Sequence, residues 1–225
     1  MPRFCGAAEE QGAKGPIGGR AVSLAALAAA SGATDALCFI ALGGVFASVM
    51  TGNLVFLGIS AGRGAGALAA HAGVALAGYT LAVVLTSRFL GDGGSRRRNR
   101  AVFLGEATVM WTFVALWPVL HDHSDGGIQL SLLTLAAVAM GTQSEVVRTV
   151  AEPGVSTTYM TGLFTRVLNT LAMRQRIDWH RPGLLIAQVA GATCNAAVVA
   201  TVPELGAALP ALLVTLVALA GIGGG

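Results

Sequence analysis

Two acidic residues lie inside stretches that are otherwise almost wholly apolar: Asp35, in SGATDALCF, and Glu145, in MGTQSEVVRTV. An ionised carboxylate within a membrane is costly, so intramembrane acids face a cavity or a partner. For Asp35 this leaves two readings, a member of a solute or proton path, or a capped carboxyl that breaks and packs the helix beside Gly32. For Glu145 the local alternative is an ion pair with Arg148, one helical turn away. Fifteen residues after each acid the tripeptide Met-Thr-Gly recurs, as Met50-Thr51-Gly52 and Met160-Thr161-Gly162. Asn53 follows the first copy, and Thr157, Thr158 and Tyr159 precede the second. Gly permits unwinding, and freed carbonyls with Thr and Asn side chains can bind a polar ligand or cation. The same residues also suit tight helix packing, since small side chains let transmembrane backbones approach. Gln143 can line a polar path beside Glu145, while Gln188 and Asn195, seven residues apart, share one helix face turned toward other helices. Together these residues form the candidate substrate or ion path.

The elements that must position them are membrane helices. The chain has 225 residues, 54% of them hydrophobic and only 11% charged, with a mean hydropathy of +0.71. A soluble domain carries about a quarter charged residues. Six apolar runs are long enough to cross a bilayer, Ala21–Leu42, Ala67–Leu90, Ala101–Leu120, Ile128–Val147, Leu184–Val202 and Leu205–Ile222; about 20 helical residues suffice. The stretches VFASVMTGNLVFLG, Val45 to Gly58, and VSTTYMTGLFTRVL, Val155 to Leu168, are extra. Their Thr, Gly, Asn and Arg166 suit short or broken helices better than full spans. They stand 110 residues apart, an offset that also aligns Asp35 with Glu145 and Gly73 with Gly183.

This predicts an all-α polytopic protein built as one membrane domain from a duplicated unit. Residues 1–20 read as a mobile tail, 21–120 as the first repeat, 121–127 as a polar loop and 128–225 as the second repeat. Ala21 to Ala30 followed by Ser31-Gly32-Ala33 imitates a signal peptide, but the apolar run resumes at once through Leu42, so a retained first span is expected.

Charge sets the topology. If each Met-Thr-Gly segment dips into the membrane without crossing, and the amino terminus is cytoplasmic, 13 of the 14 Lys and Arg residues fall on the cytoplasmic side, Arg63 excepted. The polar HDHSD loop then lies outside. Eight full spans would put the Arg96–Arg100 loop opposite the basic amino-terminal tail, so six spans agree better with the positive-inside rule. With three spans each, the two repeats are inverted, and both termini are cytoplasmic.

Other polar residues carry plainer expectations. His71 reads as interfacial, and Glu106 as close enough to Arg100 to snorkel or pair. Trp117 marks the far end of its span as an interfacial aromatic. Cys38 and Cys194 read as small buried apolar residues, and with no CxxC spacing neither a disulfide framework nor a metal site is expected. Residues 121–125 are expected to be a solvated loop and not a metal site. The basic residues are strung between spans instead of being gathered on one face, which argues against nucleic acid. No HExxH, no GxSxG and no phosphate-cradling loop is present, so neither an enzyme nor a cofactor is expected.

On GATDALCFIALGGVFASVMTGNLVFLG, Gly32 to Gly58, and TTYMTGLFTRV, Thr157 to Val167, the chain resembles the DUF1275 family, also called YoaK-like or UPF0700, from about residue 20 onward. The resemblance implies a multi-pass protein of the bacterial cytoplasmic membrane and no established activity. Two functions remain in view: a small-solute secondary transporter, with proton coupling through Asp35, and a non-transporting scaffold or accessory subunit. The expected partners are membrane lipid, an unidentified small molecule or ion, and a second copy, since small Ala- and Gly-rich spans can form a homodimer.

Overall fold

The computed structural model describes residues 17–91, 95–122, 126–151, 156–158, 160–174 and 178–220. Eight α-helices follow one another through these residues: α1 Ile17–Ala41, α2 Met50–Arg63, α3 Gly66–Leu90, α4 Arg96–Asp122, α5 Gly126–Val150, α6 Met160–Ala172, α7 His180–Thr201 and α8 Ala208–Ala220. A 3-10 turn, Pro203–Leu205, leads into α8. No strand occurs among the described residues.

Six segments are long and apolar enough to cross a membrane: Gly19–Ala41, Gly66–Leu90, Arg96–Val119, Gly126–Val150, His180–Thr201 and Pro203–Ala220. The apolar runs of the sequence coincide with them to within a few residues. α2 and α6, at 14 and 13 residues, are about 20 Å long and too short for a hydrocarbon core of about 30 Å. They begin at Met50 and Met160, the two Met-Thr-Gly sites.

The bundle interlocks the two halves of the chain. α1 packs chiefly on α7, and α3 chiefly on α5. α4 lies against α5 and α8, α8 also against α1, and the short helices α2 and α6 pack on α3 and α7. The largest contacts are close backbone approaches that only glycine allows. A Cβ on Gly191 would collide with the Ala29 carbonyl, and one on Gly141 would lie 2.6 Å from the Tyr79 carbonyl oxygen. Small residues thus replace bulky knobs, as in other transmembrane contacts. Ala29 meets Gly191, Gly32 meets Gln188 and the Ala33 carbonyl accepts from Asn195, so α1 and α7 cross in close contact over this stretch. Gly78 meets Ala137 and Ala82 meets Gly141, so α3 and α5 are parallel.

The core is lined by Leu27, Leu37, Met110, Phe113, Leu133 and Met140 among others. Large apolar side chains also cover the outside: Ile186 and Val189 on α7 are 68% and 67% exposed, and Leu216 and Leu219 on α8 are 62% and 64% exposed. A surface this apolar is stable against lipid and not against water.

Several side chains depart from the sequence-based expectation. Trp117 is buried and its indole N–H donates to the Pro203 carbonyl at 2.8 Å; it fastens α4 to the turn before α8 and is not an interfacial anchor. Cys38 is buried but Cys194 is exposed, because Asn195 and Gly191 take the inner face of α7. Pro203 opens the 3-10 turn and Pro210 sits in the first turn of α8, where its missing N–H costs nothing. Glu106 is buried, and its carboxyl oxygens have no hydrogen-bond partner among the described residues. It points inward on the α4 stripe with Phe103, Ala107 and Met110.

Candidate functional site

α1 ends where Gly43 and Gly44 take left-handed φ angles of 90° and 73°, a conformation that penalises residues with a Cβ. The chain then folds back as a non-helical segment, Leu42 to Val49, before α2 starts. Backbone donors exposed in this way must be satisfied inside an apolar environment. Asp35, two turns before the end of α1, does so: its Oδ1 accepts the N–H groups of Ala47 at 2.9 Å and Ser48 at 2.8 Å, and its Oδ2 accepts the Ser48 hydroxyl at 2.5 Å. The Ser31 hydroxyl in turn donates to Ser48 Oγ at 3.0 Å. Asn53 holds the same segment from the other side, its Nδ2 donating to the Phe46 carbonyl at 2.6 Å and its Oδ1 accepting the Phe46 N–H at 3.0 Å. Phe46 stacks between Phe39 and Phe56, with ring centroids 5.3 Å and 5.9 Å away.

The second Met-Thr-Gly site is built differently. Glu145 turns to Arg148, whose Nε and Nη2 donate to its two carboxyl oxygens at 2.9 Å and 2.5 Å. The segment ahead of α6 is held by hydroxyls instead: Thr158 Oγ1 donates to Ser144 Oγ at 3.0 Å, and the Thr158 N–H donates to Ser156 Oγ at 3.1 Å. Leu163 occupies the position corresponding to Asn53 and is buried.

Polar side chains from the second half converge on the middle of α1. Gln143 Nε2 donates to the Leu27 carbonyl and to Thr157 Oγ1, both at 3.1 Å. Asn195 Nδ2 donates to the Ala33 carbonyl at 2.9 Å. The Gln188 backbone and Cγ pack on Gly32. Gln188 and Asn195 therefore do share the α1-facing side of α7. The oxygens of both amides, Gln143 Oε1 and Asn195 Oδ1, are buried without a hydrogen-bond partner among the described residues.

Asp35, Asn53, Gln143, Glu145, Thr158 and Asn195 are thus all buried, and Gln188 and Gly52 are half-buried. Thr51, Thr161 and Gly162 are exposed and stand apart from this cluster. Tyr159 and the side chains of residues 121–125 lie outside the described residues. His71 packs its ring on Gly43 and bonds through Nδ1 to the Ala67 carbonyl at 2.7 Å. Sequence reasoning passed over Ser31, Ser48 and Ser144 as partners, and it referred Glu106 to the membrane edge. The spacing Phe103, Glu106, Ala107, Met110 and Phe113 was the available signal, since it sets Glu106 on an otherwise apolar helical stripe.

Six apolar helices with a lipid-compatible surface and buried polar contacts define an integral, multi-pass α-helical membrane protein. Residues 23–220 match the family described as "Protein of unknown function (DUF1275)", and the chain belongs to that family. It is 25% identical over 155 residues to the UPF0700 transmembrane protein YoaK of Bacillus subtilis (strain 168), a stretch covering 67% of each chain. No solved structure matches it significantly.

Proposed function

We propose that this chain is a small-solute secondary transporter of the cytoplasmic membrane, without enzymatic activity, in which two inverted repeats enclose a polar path along α1. Several contacts support the inverted architecture. Asp35 reaches back to Ser48, so α2 starts two turns inside the membrane edge at which α1 ends. His71, near the start of α3, touches Gly43 at the end of α1. Both ends of the α2 segment therefore return to one membrane face, as a re-entrant helix would, and α3 runs antiparallel to α1. Because α5 is parallel to α3, α5 is antiparallel to α1, and the second half is inverted relative to the first. Exchanging the halves also maps the α1 and α7 contact onto that of α5 and α3. With Arg96–Arg100 and Arg148–Arg181 facing the cytoplasm, both termini are cytoplasmic. Inverted repeats with interrupted helices are a common transporter plan, with the site at the repeat interface.

The observation that carries the reading is the pair of unspent amide oxygens, Gln143 Oε1 and Asn195 Oδ1. Their partners on α1, the Leu27 and Ala33 carbonyls, are six residues apart, about 9 Å along the helix. Buried acceptors without donors are unfavourable, and they are retained where a ligand supplies the donors. The substrate class is a small polar solute bearing hydrogen-bond donors. The test is uptake of a panel of such solutes into proteoliposomes, with internal pH followed in parallel. Gln143→Leu and Asn195→Leu are each expected to abolish uptake of the transported solute. Uptake that both variants leave untouched sinks the site.

A scaffold or accessory role is favoured by a different observation. Every Asp35 and Asn53 oxygen is engaged within the chain, which is what packing alone requires. Uptake no greater than in empty liposomes, together with a partner that co-purifies at constant stoichiometry, selects that role.

A further inference from the structure

Glu106 is 1% exposed, and neither of its carboxyl oxygens has a hydrogen-bond partner among the described residues. It lies six residues past Arg100 on α4, about 9 Å further into the span. The elements packed against α4 are α3, α5, α8 and the 3-10 turn. Their titratable or charged groups are His71, Tyr79 and Arg88 on α3, Glu145 and Arg148 on α5, and Glu204 in the turn. The described residues of α8 carry none. None of these groups is bonded to Glu106, and Glu145 and Arg148 are bonded to each other.

An ionised carboxylate in such surroundings is far too unfavourable to persist alone; it must take either a proton or a cation. A metal cation requires several oxygen ligands, whereas the stripe around Glu106 offers Phe103, Ala107 and Met110. A proton requires no further ligand. A neutral carboxyl can also donate a hydrogen bond, and a free acceptor is present at the same depth. α4 and α5 are joined by three residues and packed together, so they run antiparallel. Glu106 is 16 residues before Asp122 and Gln143 is 17 residues after Gly126, which puts both about 25 Å from that turn. Gln143 Oε1 is the unspent acceptor there.

We propose that Glu106, and not Asp35, is the group that binds the coupling proton, holding it in this conformation and releasing it when movement at the α4 and α5 contact admits water. The proposal rests on the transporter reading for its coupling role. Asp35 is unsuited to carry the proton because three donors already occupy its oxygens, and losing its charge would loosen the entry to α2.

The test is modification of the purified full-length protein with dicyclohexylcarbodiimide, read by peptide mass spectrometry across a pH series. The reagent takes the proton of a neutral carboxyl onto nitrogen while the carboxyl oxygen bonds to the central carbon, and the adduct rearranges to a stable N-acylurea. Glu106 is expected to be modified, with the yield falling about tenfold per pH unit once its titration is passed. Asp35 and Glu145 are expected to remain unmodified. No adduct at Glu106 at any pH, or a yield indifferent to pH, overturns the proposal, and neither outcome depends on a variant folding. In proteoliposomes Glu106→Gln is expected to abolish solute-driven proton movement, with Glu106→Asp retaining part of it. Proton movement that survives Glu106→Gln overturns the role of Glu106 and leaves transport standing. A pH-dependent Glu106 adduct without solute uptake overturns the transporter reading and with it the coupling role, leaving the proton site.

Discussion

The two Met-Thr-Gly segments start their helices 110 residues apart, yet they are secured by opposite means. Before α2, an acid and an amide on flanking helices clamp the irregular backbone directly: Asp35 takes two N–H groups and a hydroxyl, and Asn53 brackets Phe46. Before α6, the corresponding acid turns outward to Arg148, which is 67% exposed, and the corresponding amide is replaced by Leu163. The difference teaches that an acid at a given register need not do the same work in each half. Its partner decides. Residue 38 is Cys in the first half while residue 148 is Arg in the second, so only Glu145 has a cation one turn away. α2 is also the better buried helix, with Met50, Asn53 and Ser60 inside, against Leu163 alone in α6.

The acids offer the strongest way to break this comparison. Asp35→Ala leaves two buried N–H groups and a hydroxyl unpaired and is expected to cost about 4 kcal/mol of stability. Glu145→Ala removes a pair whose cation is mostly in solvent and is expected to cost less than about 1 kcal/mol. Denaturant unfolding in detergent micelles measures both, and equal losses would show that the two segments are clamped alike.

Exchanging the next pair sharpens the contrast. Asn53→Leu strands the Phe46 backbone and is expected to cost about 2 kcal/mol, while Leu163→Asn buries an amide without a partner and is expected to cost a similar amount. A neutral or stabilising Leu163→Asn, read as a shift in the unfolding midpoint, would mean that the second segment can be clamped as the first is.

The smallest effect concerns the glycines. A Cβ on Gly52 would stand 3.2 Å from the Phe46 ring, whereas one on Gly162 meets nothing within 4 Å. Gly162→Ala is therefore expected to stabilise by up to about 1 kcal/mol through helix propensity alone, and Gly52→Ala to gain less or lose slightly. Thermal unfolding of the two variants side by side checks the order.

Much of the fold was legible because hydrophobic length and interrupting residues are local properties. Six runs of apolar residues are six spans whatever packs beside them, and Thr-Gly-Asn after Gly43-Gly44 announces a broken helix in any bundle. The ion pair of Glu145 was readable for the same reason, since Arg148 is three residues away in a helix. Depth along a helix was readable; direction around it was not. Glu106 and Trp117 were both referred to the membrane edge because their distance from a helix end was known, while the side they face depends on α5, α8 and the turn before α8.

Composition and the length of the apolar runs were enough to state an all-helical membrane protein, because the bilayer imposes length and polarity on each segment separately. Where the partner lies outside a residue's own helix, tertiary structure alone decided which buried polar atoms are spent and which are not. Asp35 is saturated by a backbone 12 residues further on, whereas Glu106 meets no donor among the described residues. A hydrogen bond depends on where two chain segments meet in space, and no spacing within one helix encodes that meeting.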